Sequence, residues 1–189
     1  MSTDRSMREL PFGVGAVAGV AAWVLTYLFT YVLTSSDIEN SFLAQFSDIP
    51  TWKIVGWVFY NAHLATTNFD VGFVSGTTNT IGGDGGFTPL LYVVPPVLLF
   101  IAGLAVGRYS GATDDTVRTA VAGATPVIGY GVLSVVCVFL FATENVTPDP
   151  ITGILLAGVL YPVLFGALGA VVAGLTAGQS GPQSTTDRL

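Results

Sequence analysis

The chain has 189 residues, 51% of them hydrophobic and only 10% charged, and its twelve acidic residues outnumber six basic ones for a net charge of −6. A soluble domain carries about 25% charged residues, so the composition is that of a membrane protein. The acidic, lysine-poor balance disfavours nucleic acid and anionic lipid, both of which are bound through basic patches.

The N-terminus reads MSTDRSMREL, and the uncharged run Phe12 to Thr34 follows it. A secretory signal has an apolar core of about 7 to 15 residues, so this longer run reads as an uncleaved first helix. Three further stretches carry no charge: Leu90 to Gly107, Thr119 to Ala142 and Ile151 to Gly178. A hydrocarbon core of about 30 Å is crossed by roughly 20 helical residues. The four runs therefore predict four spans at about 12–34, 90–107, 119–142 and 151–178, in a single integral membrane domain covering 1–189. Lys and Arg near helix ends are retained in the cytoplasm. Four spans with both termini inside place Arg5, Arg8, Arg108, Arg118 and Arg188 on that side and leave only Lys53 outside.

That arrangement makes residues 35–89 one external loop, far longer than a usual helix connection. Something must fold there. Its segment TWKIVGWVFYNAHLATTNFD, Thr51 to Asp70, holds the only histidine, the only lysine and two of three tryptophans. Pro50 marks a helix start. At 100° per residue, Lys53, Gly56, Tyr60, His63 and Thr67 share one side and Val55, Val58, Phe59 and Ala62 the other. With Trp and Tyr favouring the headgroup zone, the segment reads as an interfacial or re-entrant helix. Its polar side is expected to face water or the following loop. Asn61, His63 and Asp70 form a candidate polar or metal site, although a lone interfacial histidine more commonly bonds backbone or water. Beyond it, NFDVGFVSGTTNTIGGDGGF has the turn signals of a short hairpin, with GGDGG as a flexible joint.

Proline stands in three of the spans. Pro95 with Pro96, Pro126 and Pro162 are candidate kinks, each expected to free a carbonyl. Transporters use such breaks to hold ions or substrate, and ordinary structural kinks are commoner. Thr26, Tyr27, Thr125, Tyr130 and Ser134 could supply hydroxyls to a polar seam or bond only their own helices. Asp114 and Asp115 in ATDDTV read as a helix cap. Gly15 with Gly19, Gly103 with Gly107 and Gly174 with Gly178 have close-packing spacing, at a frequency near chance. In the last span Gly166, Ala170 and Gly174 line up as a candidate helix-packing face. Lone Cys137 rules out an internal disulfide. Asn145, Val146 and Thr147 match a glycosylation acceptor, with Pro148 behind them as a hindrance.

Within the four runs there is no Asp, Glu, Lys, Arg or His. Proton relays usually rely on such groups, so a proton-driven transporter is disfavoured. With one His and one Cys in the chain, no catalytic, cofactor-binding or metal-ligating set is apparent.

The stretch WVFYNAHLATTNFD, followed by a glycine-rich loop, a proline-broken span and the acidic balance, resembles uncharacterised small multispanning membrane proteins of halophilic archaea, some of them labelled transporters. The resemblance implies no substrate and no functional residue. The expectation is thus an all-α membrane protein, four transmembrane helices with a long external loop, acting as a non-enzymatic envelope or accessory subunit without cofactors. The alternative is a small transporter or channel component. Partners are the lipid bilayer and a second copy or another membrane protein.

Overall fold

A computed structural model describes residues 10–41, 48–111 and 115–178. Helix α1 is Phe12–Glu39 and the short α2 is Thr51–Ala62. Strands β1 (Thr67–Val71) and β2 (Val74–Thr78) follow. A 3₁₀ turn, Pro89–Tyr92, leads into α3 at Val94–Tyr109. Helices α4 (Thr116–Ala124) and α5 (Val127–Leu140) come next, then strand β3 at Val146–Pro148. The last element opens with a helical turn at Pro150–Thr152, widens into a π-helix at Gly153–Leu160 and continues as α6, Tyr161–Gly178.

Four helical stretches are long and apolar enough to cross a membrane: Phe12–Glu39, Pro89–Tyr109, Thr116–Leu140 and Pro150–Ala177. The first outruns its uncharged stretch, since Asp37 and Glu39 are carried in its last turn. Asp115 caps α4, its carboxylate accepting from the backbone N–H groups of Val117 and Arg118. Asp114 lies outside the described residues.

The prolines divide into two kinds. Pro95 and Pro96 sit in the first turn of α3, where a missing donor costs nothing, so they start a helix and do not kink one. Pro126 does break its span, between α4 and α5. The carbonyl it would have bonded is Ala122's, and Thr125 takes it through both its N–H at 3.2 Å and its hydroxyl at 2.6 Å. Pro162 is the second residue of α6, one residue past the end of the π-helix. It leaves the Gly158 carbonyl without its usual donor, and that oxygen lies against Gly131, where an added Cβ would come within 2.8 Å of it.

Small residues set the helix spacing. A Cβ on Gly103 would strike the Gly166 backbone, one on Gly123 would strike Ala170, and one on Gly107 would come within 2.8 Å of the Ala170 Cα. Gly166 and Ala170 are buried at this junction of α3, α4 and α6, while Gly174 is half-buried above it. At a second junction, Gly15 of α1 meets Thr125, and Gly19 and Gly129 meet the facing backbones of α5 and α1. Both junctions lie within one chain.

The fold departs from all-α through a small antiparallel sheet ordered β2-β1-β3. Phe69 pairs with Gly76 on one side and Val146 on the other. The GGDGG segment is a closed turn with Gly82, Gly83 and Gly85 at positive φ. Its ends are pinned by Gly82 N–H to the Phe87 carbonyl at 2.8 Å and Phe87 N–H to the Thr80 carbonyl at 2.9 Å. A joint free to flex does not fit those bonds.

Helix α2 also departs from expectation. Every residue from Ile54 to Ala62 is buried, so its polar side does not face water. That side turns inward, toward α5.

Overpacking a close-packed core costs about 1–3 kcal/mol or more. Gly103→Ala and Ala170→Leu should each lower the melting temperature in detergent, whereas Gly13→Ala, with nothing within 4 Å of the new Cβ, should leave it unchanged or raise it. Equal melting of all three proteins would refute the assignment of this junction.

Candidate functional site

A helix end leaves its last carbonyls without intrahelical donors. At the end of α5 these are supplied by α2, from residues spaced to share one helix face. The Lys53 ammonium donates to the Ala142 carbonyl at 2.8 Å and the Trp57 indole N–H to the Phe141 carbonyl at 2.8 Å. One turn deeper, the Tyr60 hydroxyl donates to the Ser134 carbonyl. Gly56, on the same side, admits the Phe141 ring, which a Cβ there would strike. From α1, the Tyr27 hydroxyl donates to the Trp52 carbonyl at 2.9 Å. The polar stripe read from sequence is therefore a docking face for α5.

At its C-terminal end α2 is closed by two bonds, Leu64 N–H to the Asn61 carbonyl at 2.9 Å and Ala65 N–H to the Tyr60 carbonyl at 3.1 Å. This pattern needs a left-handed residue, usually glycine. Leu64 fills the place at φ 63, which costs a β-carbon-bearing residue about 1–2 kcal/mol. The tightened end also redirects the His63 N–H to Tyr60, so the Phe59 carbonyl loses its α-helical donor. His63 replaces that donor with its own ring.

The imidazole is fully buried. Nδ1 lies 2.7 Å from the Phe59 carbonyl and Nε2 lies 2.7 Å from the Tyr130 hydroxyl. A carbonyl can only accept, so Nδ1 carries the proton and the neutral ring accepts the Tyr130 O–H at Nε2. The rings of Phe59 and Tyr161 pack on either side at centroid distances of 4.6 and 5.0 Å. Burial pushes the His63 pKa down to about 4, opposed by the bond to Phe59. With both nitrogens engaged, the ring has no lone pair free for a metal or an incoming proton.

Asn61 faces another way. Its side-chain oxygen accepts the N–H and hydroxyl of Thr80, each at 2.9 Å, and its amide nitrogen donates to the Ala65 carbonyl and the Thr67 hydroxyl. It thereby fastens the glycine-rich loop and the start of β1 to α2. Asp70 is exposed on β1, its backbone N–H donating to the Asn145 carbonyl at 2.8 Å. Asn61, His63 and Asp70 thus serve three different contacts and do not converge. Among the described residues no group of three or more His, Cys, Asp or Glu side chains comes together.

Of the hydroxyls marked in the sequence, Tyr130 meets both His63 and Thr26, and the others bond mainly to backbone. Thr26 donates to the Ala22 carbonyl of its own helix, and Ser134 gives its carbonyl to Tyr60 while its buried hydroxyl has no partner among the described residues. Cys137 is a buried free thiol. What sequence reading missed is the link from Tyr60 to Ser134 and from His63 to Tyr130. The spacing of Lys53, Trp57 and Tyr60 carries that signal once a helix end stands opposite them.

Beside this cluster, a cleft of about 320 Å³ lies between α2 and the sheet, lined by Ile54, Trp57, Val58, Phe69, Phe87 and Val146 with hydroxyls at its edge. His63, Tyr130 and Ser134 do not reach it.

The chain matches a family of unknown function, DUF7978, over residues 1–177 and belongs to that family. No curated protein and no solved structure matches it.

The folded state holds fewer protons on His63 than the unfolded chain, whose histidine titrates near 6.5. Stability should therefore rise with pH between about 4 and 6.5 and level off above. Asp149, lowered chiefly by the Thr152 N–H, loses its contribution only as pH falls through its own depressed value, below that window. Melting temperatures from pH 4 to 8 should show the slope, and His63→Gln should flatten it. An equal slope in the variant would refute a neutral buried ring.

Proposed function

We propose that this member of the DUF7978 family is an integral membrane protein whose four long helices cross the bilayer and which serves as a non-enzymatic accessory or scaffold subunit of the cell envelope. One observation carries the reading. The polar side chains of α1, α2 and α5 meet in a packed cluster, bonded to one another and to backbone, and its inner members His63, Tyr130 and Ser134 do not reach the cleft that Trp57 lines. A pore or carrier needs such groups to line the path of its solute. Here they join helices.

Insertion is supported by the outer surface, where Val32, Val117, Ile151 and Leu175 are all more than 60% exposed. Water would oppose a surface of that kind and lipid would not. The arginine distribution puts both termini in the cytoplasm and α2 on the outer side. Twelve residues of helix reach only about 18 Å, too short to cross, and burial from Ile54 to Ala62 among the long helices favours a re-entrant segment over one lying on the surface.

The second reading, a small transporter, is favoured by the break at Pro126 and the π-helix before Pro162. Liposomes holding the purified protein should pass sodium, potassium and protons no faster than protein-free vesicles. Flux that Tyr130→Phe abolishes would overturn the scaffold reading in favour of transport.

Topology is checked separately. With Cys137 replaced by Ala, Asp84→Cys should react with a membrane-impermeant thiol reagent on intact cells and Ser110→Cys should not. Labelling of both, or of Ser110→Cys alone, would contradict the assigned sides.

A further inference from the structure

Strand β2 is one edge of the sheet, unpaired on its outer side among the described residues, and all its residues but the last are exposed. The β1–β2 hairpin turns through Gly72 and Phe73, with Gly72 at φ 65, which is the glycine-first form of a two-residue loop. Such a loop makes Val71 and Val74 a hydrogen-bonded pair. Alternation along the ladder then gives the inward bonds to Gly76 and Thr78, opposite Phe69 and Thr67. The N–H and carbonyl groups of Ser75 and Thr77 point outward. Neither residue has a backbone hydrogen bond on that side among the described residues.

Natural edges are usually blunted by lysine, proline, a bulge or a covering segment. This one reads Val-Ser-Gly-Thr-Thr, uncharged and regular. Next to it Phe73 stands wholly exposed, with Val71 and Val74 each more than half exposed. Unpaired backbone groups select an extended strand, because only a strand offers donors and acceptors at matching intervals.

We infer that β2 is an assembly edge and that its occupant is β2 of a second copy, paired antiparallel about a two-fold axis at Gly76. In that register Ser75 of each copy faces Thr77 of the other and exchanges both backbone bonds, while Val74 lies opposite Thr78. Their hydroxyl side chains fall on one face as a favourable cross-strand pair. A chain of net charge −6 generally repels its copies, and this strand brings no charge to the contact. An isologous contact of this kind closes at two copies. Gly76 can sit on the axis because Phe69 of β1 already covers its other flank, 3.1 Å from where a Cβ would stand.

Thr77→Pro removes an outward N–H that the hairpin does not use, and Thr77→Lys adds the charge that natural edges carry while keeping the N–H. Mass measured by light scattering in mild detergent, and by native mass spectrometry from lipid nanodiscs, should be twice the chain mass for wild type. It should halve for both variants, with far-UV circular dichroism unchanged. A monomeric wild type in both media overturns the proposal, as does a dimer that survives both substitutions. If Thr77→Pro alone loses helix content, Thr77→Lys decides.

Discussion

The half of this molecule that holds α2 and the sheet depends on how the end of α5 satisfies its backbone. An orphan carbonyl in an apolar surrounding costs about 1–3 kcal/mol, and water is the usual remedy at a helix end. Here Lys53 and Trp57 of α2 supply the donors, and Tyr60 adds a bond to the Ser134 carbonyl inside α5. Three bonds along one helix face also set the register of α2, since sliding it by a residue breaks all three. Everything beyond α2 inherits that position. Asn61 ties the glycine-rich loop to it, and the loop and β1 carry the sheet.

The bundle below is held by a different economy. Small residues let helix backbones approach closely enough for extensive van der Waals contact. Gly103, Gly107 and Gly123 converge on Gly166 and Ala170 without room for a further carbon. At the other junction the break at Pro126 works with the glycines. Interrupting the helix exposes the Ala122 carbonyl, Thr125 satisfies it, and the backbone at Thr125 and Pro126 packs against Gly15 and Gly19 of α1.

Much of this was legible in particular residues. Uncharged runs located the long helices, Pro50 marked the start of α2, Asp115 capped α4, and the glycines of NFDVGFVSG indicated the hairpin. Other features were hidden for physical reasons. A helical stripe says which residues share a face, and reading its polar side as the wet side assumes that water is the only available acceptor. For α2 the acceptors are carbonyls of α5. Three residues at Val146–Pro148 are too few for a periodic signal, so the third strand was not anticipated. Pro95 and Pro96 looked like a kink only because the uncharged run began before them. Asn61, His63 and Asp70 are close in sequence, but the turn at Leu64 sends them to different neighbours.

The same turn explains why the residue at position 63 is a histidine. By drawing the His63 N–H to Tyr60, it strands the Phe59 carbonyl in the interior. Lysine or arginine could donate to that carbonyl but would bring a charge and no acceptor. A neutral imidazole offers one donor and one acceptor on opposite edges of a rigid ring, which joins the end of α2 to the Tyr130 hydroxyl of α5 at 2.7 Å on each side. Protonation would turn the accepting edge into a second donor facing the Tyr130 O–H, and that hydroxyl would have to swing away. The joint is therefore built for the uncharged ring, and the aromatic side chains packed around it keep it so.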